Sequence, residues 1–126
     1  MSFAEYANYD GVGLAELVRR KEVTPAELVE SAIQVIERHN PTVNAVIHRL
    51  DDMARAAAST VSEGPLCGVP FLLKDIGARC AGAPYSEGSK IFKDYIADSD
   101  TELVVRFKHA GLNICGKTNV PEFGYD

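Results

Sequence analysis

The chain has few cysteines, no long apolar run and no excess of positive charge. Its three cysteines, Cys67, Cys80 and Cys115, are odd in number and scattered, which argues against a disulfide framework and favours a reducing compartment. No apolar run is long enough to cross a bilayer, and the first ten residues lack both the basic and the apolar part of a secretory leader. We therefore expect a cytoplasmic protein. The net charge of -5 disfavours binding to nucleic acid or to an anionic membrane.

The sequence also lacks the common signatures of metal sites and of activated nucleophiles. It has no Cys/His cluster, no spaced carboxylate pair and no Gly-x-Ser-x-Gly turn, so we expect neither a metal nor another cofactor. His48 has no second ligand at a recognised spacing and is expected to be a partly exposed polar residue. His109 suits the last turn of a helix, where a basic side chain is favourable. Residues 98–102 begin like a calcium loop, but Leu103 stands where that loop requires glycine.

The composition is typical of one soluble globular domain, because 46% hydrophobic and 25% charged residues allow a core in a chain too short for two domains. Thr24 and Glu27 have the spacing of a capping box at a helix start, and Asn40-Pro41 is expected to end that helix. A second capping box is predicted at Ser99–Glu102. The order strand, loop, helix, strand in the second half predicts an α/β fold with neighbouring parallel strands. The predicted elements are helices at 11–22, 25–40, 51–60 and 100–110 and strands at 43–50, 69–73 and 112–115.

The central stretch runs from Gly64 to Asp75, where a turn leads into a short apolar run that ends at Lys74. An amine at the end of a buried strand loses hydration, which disfavours its charged form. A lysine that acts as a general base near neutrality needs a pKa of about 7–8, some 3 units below its ordinary value. The alternative is a structural ion pair of Lys74 with a carboxylate such as its neighbour Asp75. Residues 76–99, rich in turn formers, either line a functional site or form two short strands with loops.

A phosphate-loop pattern competes with this interpretation. Gly111 to Thr118 fits G-x-x-x-x-G-K-[ST], with Lys117 in the lysine position. A phosphate loop follows a strand and opens a helix, so that backbone N–H groups meet the phosphates. Here the first glycine follows a predicted helix, the intervening residues are typical of a strand, and Pro121 interrupts the required helix. We therefore regard nucleotide binding as the weaker alternative.

An ordered series of motifs resembles the N-terminal part of the amidase signature family. The resemblance covers nearly the whole chain from Gly13 onward, and the order and spacing of the set are specific although each motif is weak. It implies an α/β fold in which helices pack on part of a large mixed sheet, with residues 1–126 forming the N-terminal part of a single amidase domain. The motifs are Gly68-Val69-Pro70-x-x-x-Lys74-Asp75, then Pro84, Gly88-Ser89, the helix from Asp100 to Gly111, and Gly116-Lys117-Thr118-Asn119-Val120-Pro121-Glu122-Phe123.

The resemblance implies an amide hydrolase with a Ser–cis-Ser–Lys triad acting on a small-molecule amide. The family's catalytic lysine falls on Lys74, and a structural role near the site is expected for Lys117. The Gly/Ser-rich segment that carries both serines in the family has no counterpart here, and neither Ser86 nor Ser89 matches them. We therefore expect the chain to be inactive alone, because the residues of such a triad act as a unit.

Two departures from the family pattern bear on the substrate. Tyr85-Ser86 replaces the usual small hydroxyl residues, which predicts a differently shaped pocket. Pro121 stands where the transamidating subunit that makes glutaminyl-tRNA usually has an acidic residue, so a general amidase is favoured over that alternative. A noncatalytic binding or complementing module is a further alternative. Besides the amide substrate, a second copy of the chain or a complementing chain is the partner that we consider.

Overall fold

The computed structural model describes residues 2–60 and 63–125, which form a mixed α/β structure. This confirms the predicted fold class. The described residues contain four α-helices: α1 (Gly11–Arg19), α2 (Pro25–Val43), α3 (Asp51–Ala58) and α4 (Glu102–His109). The strands are β1 (Val46–Arg49), β2 (Pro70–Lys74) and β3 (Asn113–Thr118), and short 3-10 turns lie at Tyr6–Asn8, Lys90–Phe92 and Glu122–Gly124.

Strand β3 is the centre of the three-stranded sheet. It pairs in parallel with β2 on one side and antiparallel with β1 on the other. Five of its six residues are buried, which fits a strand covered on both faces. The predicted parallel pairing across the strand–loop–helix–strand unit is confirmed, and it brings the ends of β2 and β3 together.

Apolar side chains from helices and strands form three clusters around this sheet. Helix α1 packs with the start of α2 and the residues before β2, helix α4 packs with β2 and β3, and α2 and α3 cover the centre of β3. Residues with an exposed fraction near zero mark the middle of each cluster, namely Leu28, Leu73, Val104, Val29 and Cys115. The predicted helical faces therefore serve packing, as their spacing indicated.

The helix that starts at the predicted capping box ends later than expected. The Thr24 hydroxyl accepts from the Glu27 N–H, and the Glu27 carboxylate accepts from the Thr24 N–H, so the box itself is confirmed. The prediction that Asn40-Pro41 stops the helix is wrong, because α2 continues to Val43. Pro41 lies in the exposed last turn, where loss of one ladder hydrogen bond costs little.

The second predicted capping box is also wrong. Helix α4 begins after Thr101, whose side chain makes no capping hydrogen bond. Asp100 is instead partly buried, and its carboxylate accepts from the Ala81 N–H and from the Lys108 ammonium. The Asp100 side chain thus binds residues that are distant in the sequence, which the local spacing does not reveal.

Residues 76–99 contain no regular strand and no α-helix. A single antiparallel bridge joins Pro84 and Ile96, and one 3-10 turn lies at Lys90–Phe92. Ala83 and Ser86 of this segment are nevertheless buried. The segment therefore packs against the sheet through its irregular backbone, and it adjoins the end of β2 that carries Lys74.

Candidate active site

The candidate site lies where β2 and β3 end side by side. Lys74 is the last residue of β2 and stands opposite Thr118, the last residue of β3. The Asp75 N–H continues the ladder by donating to the Thr118 carbonyl at 3.2 Å. The side chains of Leu73 and Asp75 are buried, and that of Lys74 between them is exposed. The strand therefore turns Lys74 to the opposite face from its two neighbours.

Lys74 is not desolvated within this chain. Its side chain is exposed, and its amine makes no hydrogen bond or ion pair with the described residues. The expectation that the apolar run would hold this amine in apolar surroundings is therefore wrong for the part of the chain that the structure describes. The reason is that successive side chains of a strand point to opposite faces of the sheet. The residue after a buried one therefore faces solvent unless another layer covers that face. The alternative ion pair between Lys74 and Asp75 is not formed either.

Asp75 is instead fully buried and binds Lys117. Its Oδ1 accepts from the Lys117 ammonium at 2.9 Å and from the Ser86 N–H at 3.1 Å, and its Oδ2 accepts from the Ser86 hydroxyl. Burial by itself raises the pKa of the Asp75 carboxyl, but hydrogen bonds from Ser86 and Lys117 outweigh it and lower the pKa below its ordinary value. The carboxylate is thus held in its charged form.

Lys117 is the buried lysine of this region. Besides Asp75, its ammonium donates to the Pro84 carbonyl at 3.0 Å and lies 4.4 Å from the centroid of the Tyr85 ring. Three N–H groups thus face an anion, a carbonyl oxygen and an aromatic face, which accounts for every donor of the side chain. The expected structural role of Lys117 near the site fits this arrangement.

The structure contradicts the phosphate-loop alternative for Gly111 to Thr118. Residues Asn113–Thr118 form β3 instead of a loop that opens a helix. The Lys117 side chain has no exposed surface, so it cannot reach a phosphate in solution. Sequence reasoning found both the lysine and Asp75 but did not pair them. The signal that was available is the parallel β2–β3 pairing, which places the residues after two adjacent strands together.

The other candidate residues lie around this cluster. His48 is partly exposed, as predicted, and its Nε2 lies 3.6 Å from Asp75 Oδ2, beyond hydrogen-bond distance. The Ser86 hydroxyl donates to Asp75 and the Ser89 hydroxyl donates to Glu122, so both serines have structural partners. His109 is exposed in the last turn of α4, where it was expected.

A cavity of about 230 Å³ opens beside the cluster. It is lined by Arg79, Tyr85, Glu87, Phe92 and Tyr95, so aromatic rings form most of its wall. The Tyr85 hydroxyl donates to the Glu87 carboxylate and accepts from the Gly77 N–H. Burial, followed by the hydrogen bond to Glu87, raises the pKa of the Tyr85 phenol. The same ring also contacts the Lys117 ammonium, so Tyr85 joins the cavity wall to the buried pair.

Residues 2–60 and 63–125 contain neither a cluster of metal ligands nor a membrane-spanning helix. No group of three or more His, Cys, Asp or Glu side chains in these ranges could hold a metal ion. None of the helices in the described part of the chain is long and apolar enough to cross a membrane. Cys67, Cys80 and Cys115 are buried free thiols, and burial raises the pKa of Cys115 to about 11.

Known proteins resemble this chain in sequence and in fold. A family model described as Amidase matches residues 27–126. A lipoamidase from Enterococcus faecalis is 37% identical over 126 residues, covering 98% of this chain and 17% of that protein. A 6-aminohexanoate-cyclic-dimer hydrolase from Paenarthrobacter ureafaciens is 41% identical over 117 residues, covering 91% of this chain and 24% of that protein.

The solved structures agree with the sequence matches. A 6-aminohexanoate cyclic dimer hydrolase complexed with substrate superposes with a TM-score of 0.87 at 37% identity, covering 96% of this chain and 25% of that one. The chain therefore spans about a quarter or less of the length of these relatives.

Proposed function

The chain belongs to the amidase family, and from this premise we propose that it supplies the lysine base of an enzyme that cleaves the C–N bond of a small carboxylic amide. The observation that carries the proposal is the position of Lys74 at the end of β2. Its amine has no hydrogen-bond or ion-pair partner among residues 2–60 and 63–125, and the strand turns it away from the packed interior. A general base needs an amine that a partner hydroxyl can reach. The Lys74 amine meets this need, whereas the Lys117 amine is already occupied by its buried partners.

In the proposed mechanism, Lys74 takes a proton through a bridging serine while a second serine attacks the amide carbonyl. Backbone N–H groups stabilise the oxyanion, the amine or ammonia leaves, and water releases the acyl group from the serine. These 126 residues contain no Gly-Gly-Ser-Ser run. The proposal therefore assigns both serines to another segment of the same amidase domain, on the same polypeptide or on a complementing chain.

The exposure of Lys74 fits this division of the domain. The amine needs apolar cover to serve as a base near neutrality. We assign that cover to the other segment, because the relatives are about four times as long as the matched region. The cytoplasm is the proposed location, since three buried free thiols fit a reducing compartment.

A general amidase is preferred over two alternatives. Pro121 in the segment after β3 differs from the acidic residue usual in transamidating subunits, which disfavours a tRNA-dependent amidotransferase. A noncatalytic binding module would not need a free lysine at the end of β2.

The test is a hybrid enzyme in which these 126 residues replace the matching N-terminal quarter of the 6-aminohexanoate-cyclic-dimer hydrolase. We expect the hybrid to hydrolyse the cyclic dimer and Lys74→Ala to abolish turnover without changing the circular dichroism spectrum. Lys90→Ala, at an exposed lysine of the 76–99 segment, is the matched control and should retain activity. Turnover by the Lys74→Ala hybrid at the control rate would overturn the proposal.

A further inference from the structure

We propose that the buried Asp75–Lys117 ion pair sets the register at the end of β2 and thereby fixes the direction in which Lys74 points. Lys117 is then a positioning residue that acts through Asp75 and does not itself touch substrate. This inference rests on the proposed function in one respect, namely that Lys74 is the catalytic base. It does not depend on that function for the structural coupling between the two residues.

Apolar burial alone does not specify the register of β2. Phe71, Leu72 and Leu73 are all apolar, so a shift by one residue still buries an apolar side chain at each inner position. The β2–β3 pairing already contains an irregularity between Phe71 and Leu72. A one-residue slip after that point would turn Lys74 into the packed interior and Asp75 outward. Something beyond hydrophobicity must therefore select the observed register.

The backbone hydrogen bonds at the end of β2 do little to favour one strand register over another. Among the strands of the described ranges, β2 pairs with β3 alone. Besides the ladder that pairs Leu72–Lys74 with Gly116–Thr118, the Asp75 N–H donates to the Thr118 carbonyl at 3.2 Å and the Thr118 hydroxyl donates to the Leu73 carbonyl at 3.4 Å. Both distances are long for their donor types. Ladder bonds of this kind also re-form after a slip, so they do not distinguish one register from the next.

The ion pair is the specific contact. Asp75 Oδ1 and Lys117 Nζ are 2.9 Å apart, and neither side chain has exposed surface. A slip would leave Lys117 buried without its anion, which is among the costliest changes a protein interior can suffer. Ser86 and Pro84 bind the two ends of the pair from the 76–99 segment. The pair therefore ties β2, β3 and that segment into one arrangement, with Lys74 on the outer face.

The experiment separates positioning from simple stabilisation in the hybrid enzyme. Lys117→Met leaves Asp75 buried and unpaired, so it is expected to unfold part of the site. The informative variant is Asp75→Leu with Lys117→Met, because replacing a buried ion pair by apolar side chains is often neutral or stabilising. The control is Lys108→Met, which removes the exposed ion pair of Lys108 with Asp100 on α4.

Positioning predicts that the double variant keeps its thermal midpoint but loses about 10- to 100-fold in kcat, with KM little changed, because the base is misplaced. The control is expected to keep wild-type kcat. In the 126-residue chain, amide exchange at Asp75 should accelerate in the folded double variant while that at Val29 in α2 stays the same. A folded double variant with wild-type kcat or with unchanged exchange at Asp75 overturns the inference. Inactivity of every hybrid would contradict the proposed function instead, and the exchange measurement would then decide the inference alone.

Discussion

Asp75 and Lys117 meet as a fully buried ion pair of 2.9 Å, although the first follows β2 and the second lies in β3. The exposed Lys74 stands next to the buried carboxylate in sequence and next to Thr118 in the sheet. Two lysines at the same end of the sheet thus have opposite environments. The buried one is saturated with partners, and the exposed one has none among the described residues.

This contrast predicts different chemical accessibility of the two amines. In the native 126-residue chain, acetic anhydride should label Lys74 at the rate of an exposed lysine and leave Lys117 unlabelled until the protein unfolds, because acylation requires contact with the reagent. Peptide mass spectrometry over a time course measures both rates. Lys93, an exposed lysine of the 76–99 segment, is the internal reference. Labelling of Lys117 at the rate of Lys93 would contradict the buried ion pair.

The pair also predicts a loss of stability in acid. The folded-state pKa of Asp75 is lowered from its ordinary value of 3.8, so its charged form stabilises the folded state above that pH. This contribution is lost as the pH falls below 3.8 through the lowered folded-state pKa. Urea unfolding between neutral pH and acid measures the effect. Asp75→Leu with Lys117→Met removes the carboxylate without leaving a buried charge unpaired and should flatten the acid limb, whereas Asp52→Asn, at an exposed carboxylate, should keep it; equal slopes in the two variants would refute the assignment.

Core packing between α1, α2 and the residues before β2 predicts a large penalty for Leu28→Ala. Leu28 is fully buried, so the truncation leaves a cavity and should cost about 2–5 kcal/mol in the free energy of unfolding. Leu103 on α4 is 47% exposed, and Leu103→Ala is the matched control with a change of about 0.5 kcal/mol or less. Denaturant unfolding of both variants measures the difference. Similar penalties for the two would show that α2 does not pack as described.

The two helix starts predict unequal effects of the same substitution. Thr24→Ala removes the bond from the Glu27 N–H to the Thr24 hydroxyl and keeps the one from the Thr24 N–H to the Glu27 carboxylate, and it should destabilise the protein by about 1 kcal/mol. Thr101 occupies the N-cap of α4 without a side-chain capping bond, so Thr101→Ala should cost less. Thermal unfolding of the pair provides the comparison. A larger loss for Thr101→Ala would reverse the assignment of the two caps.

Local sequence signals predicted what depends on neighbours along the chain. Thr24 and Glu27 are three residues apart, so their capping box forms within one turn and was visible in the sequence. The same spacing at Ser99–Glu102 failed, because α4 begins only after Thr101 and the Ser99 and Glu102 side chains bind Asp98 and Arg106 instead. The predicted helix stop at Asn40-Pro41 failed because a proline in an exposed last turn breaks only one hydrogen bond.

The sequence by itself determined the family, through the resemblance of an ordered series of motifs. It also determined the α/β order of elements and the lysine at the end of an apolar strand, because these follow from periodicity along the chain. Only the tertiary structure decided which lysine is buried. Alternation along a strand separates neighbours onto two faces, but a face becomes an interior only when another layer packs on it. Within these residues that layer covers Asp75 and Lys117 and leaves Lys74 exposed.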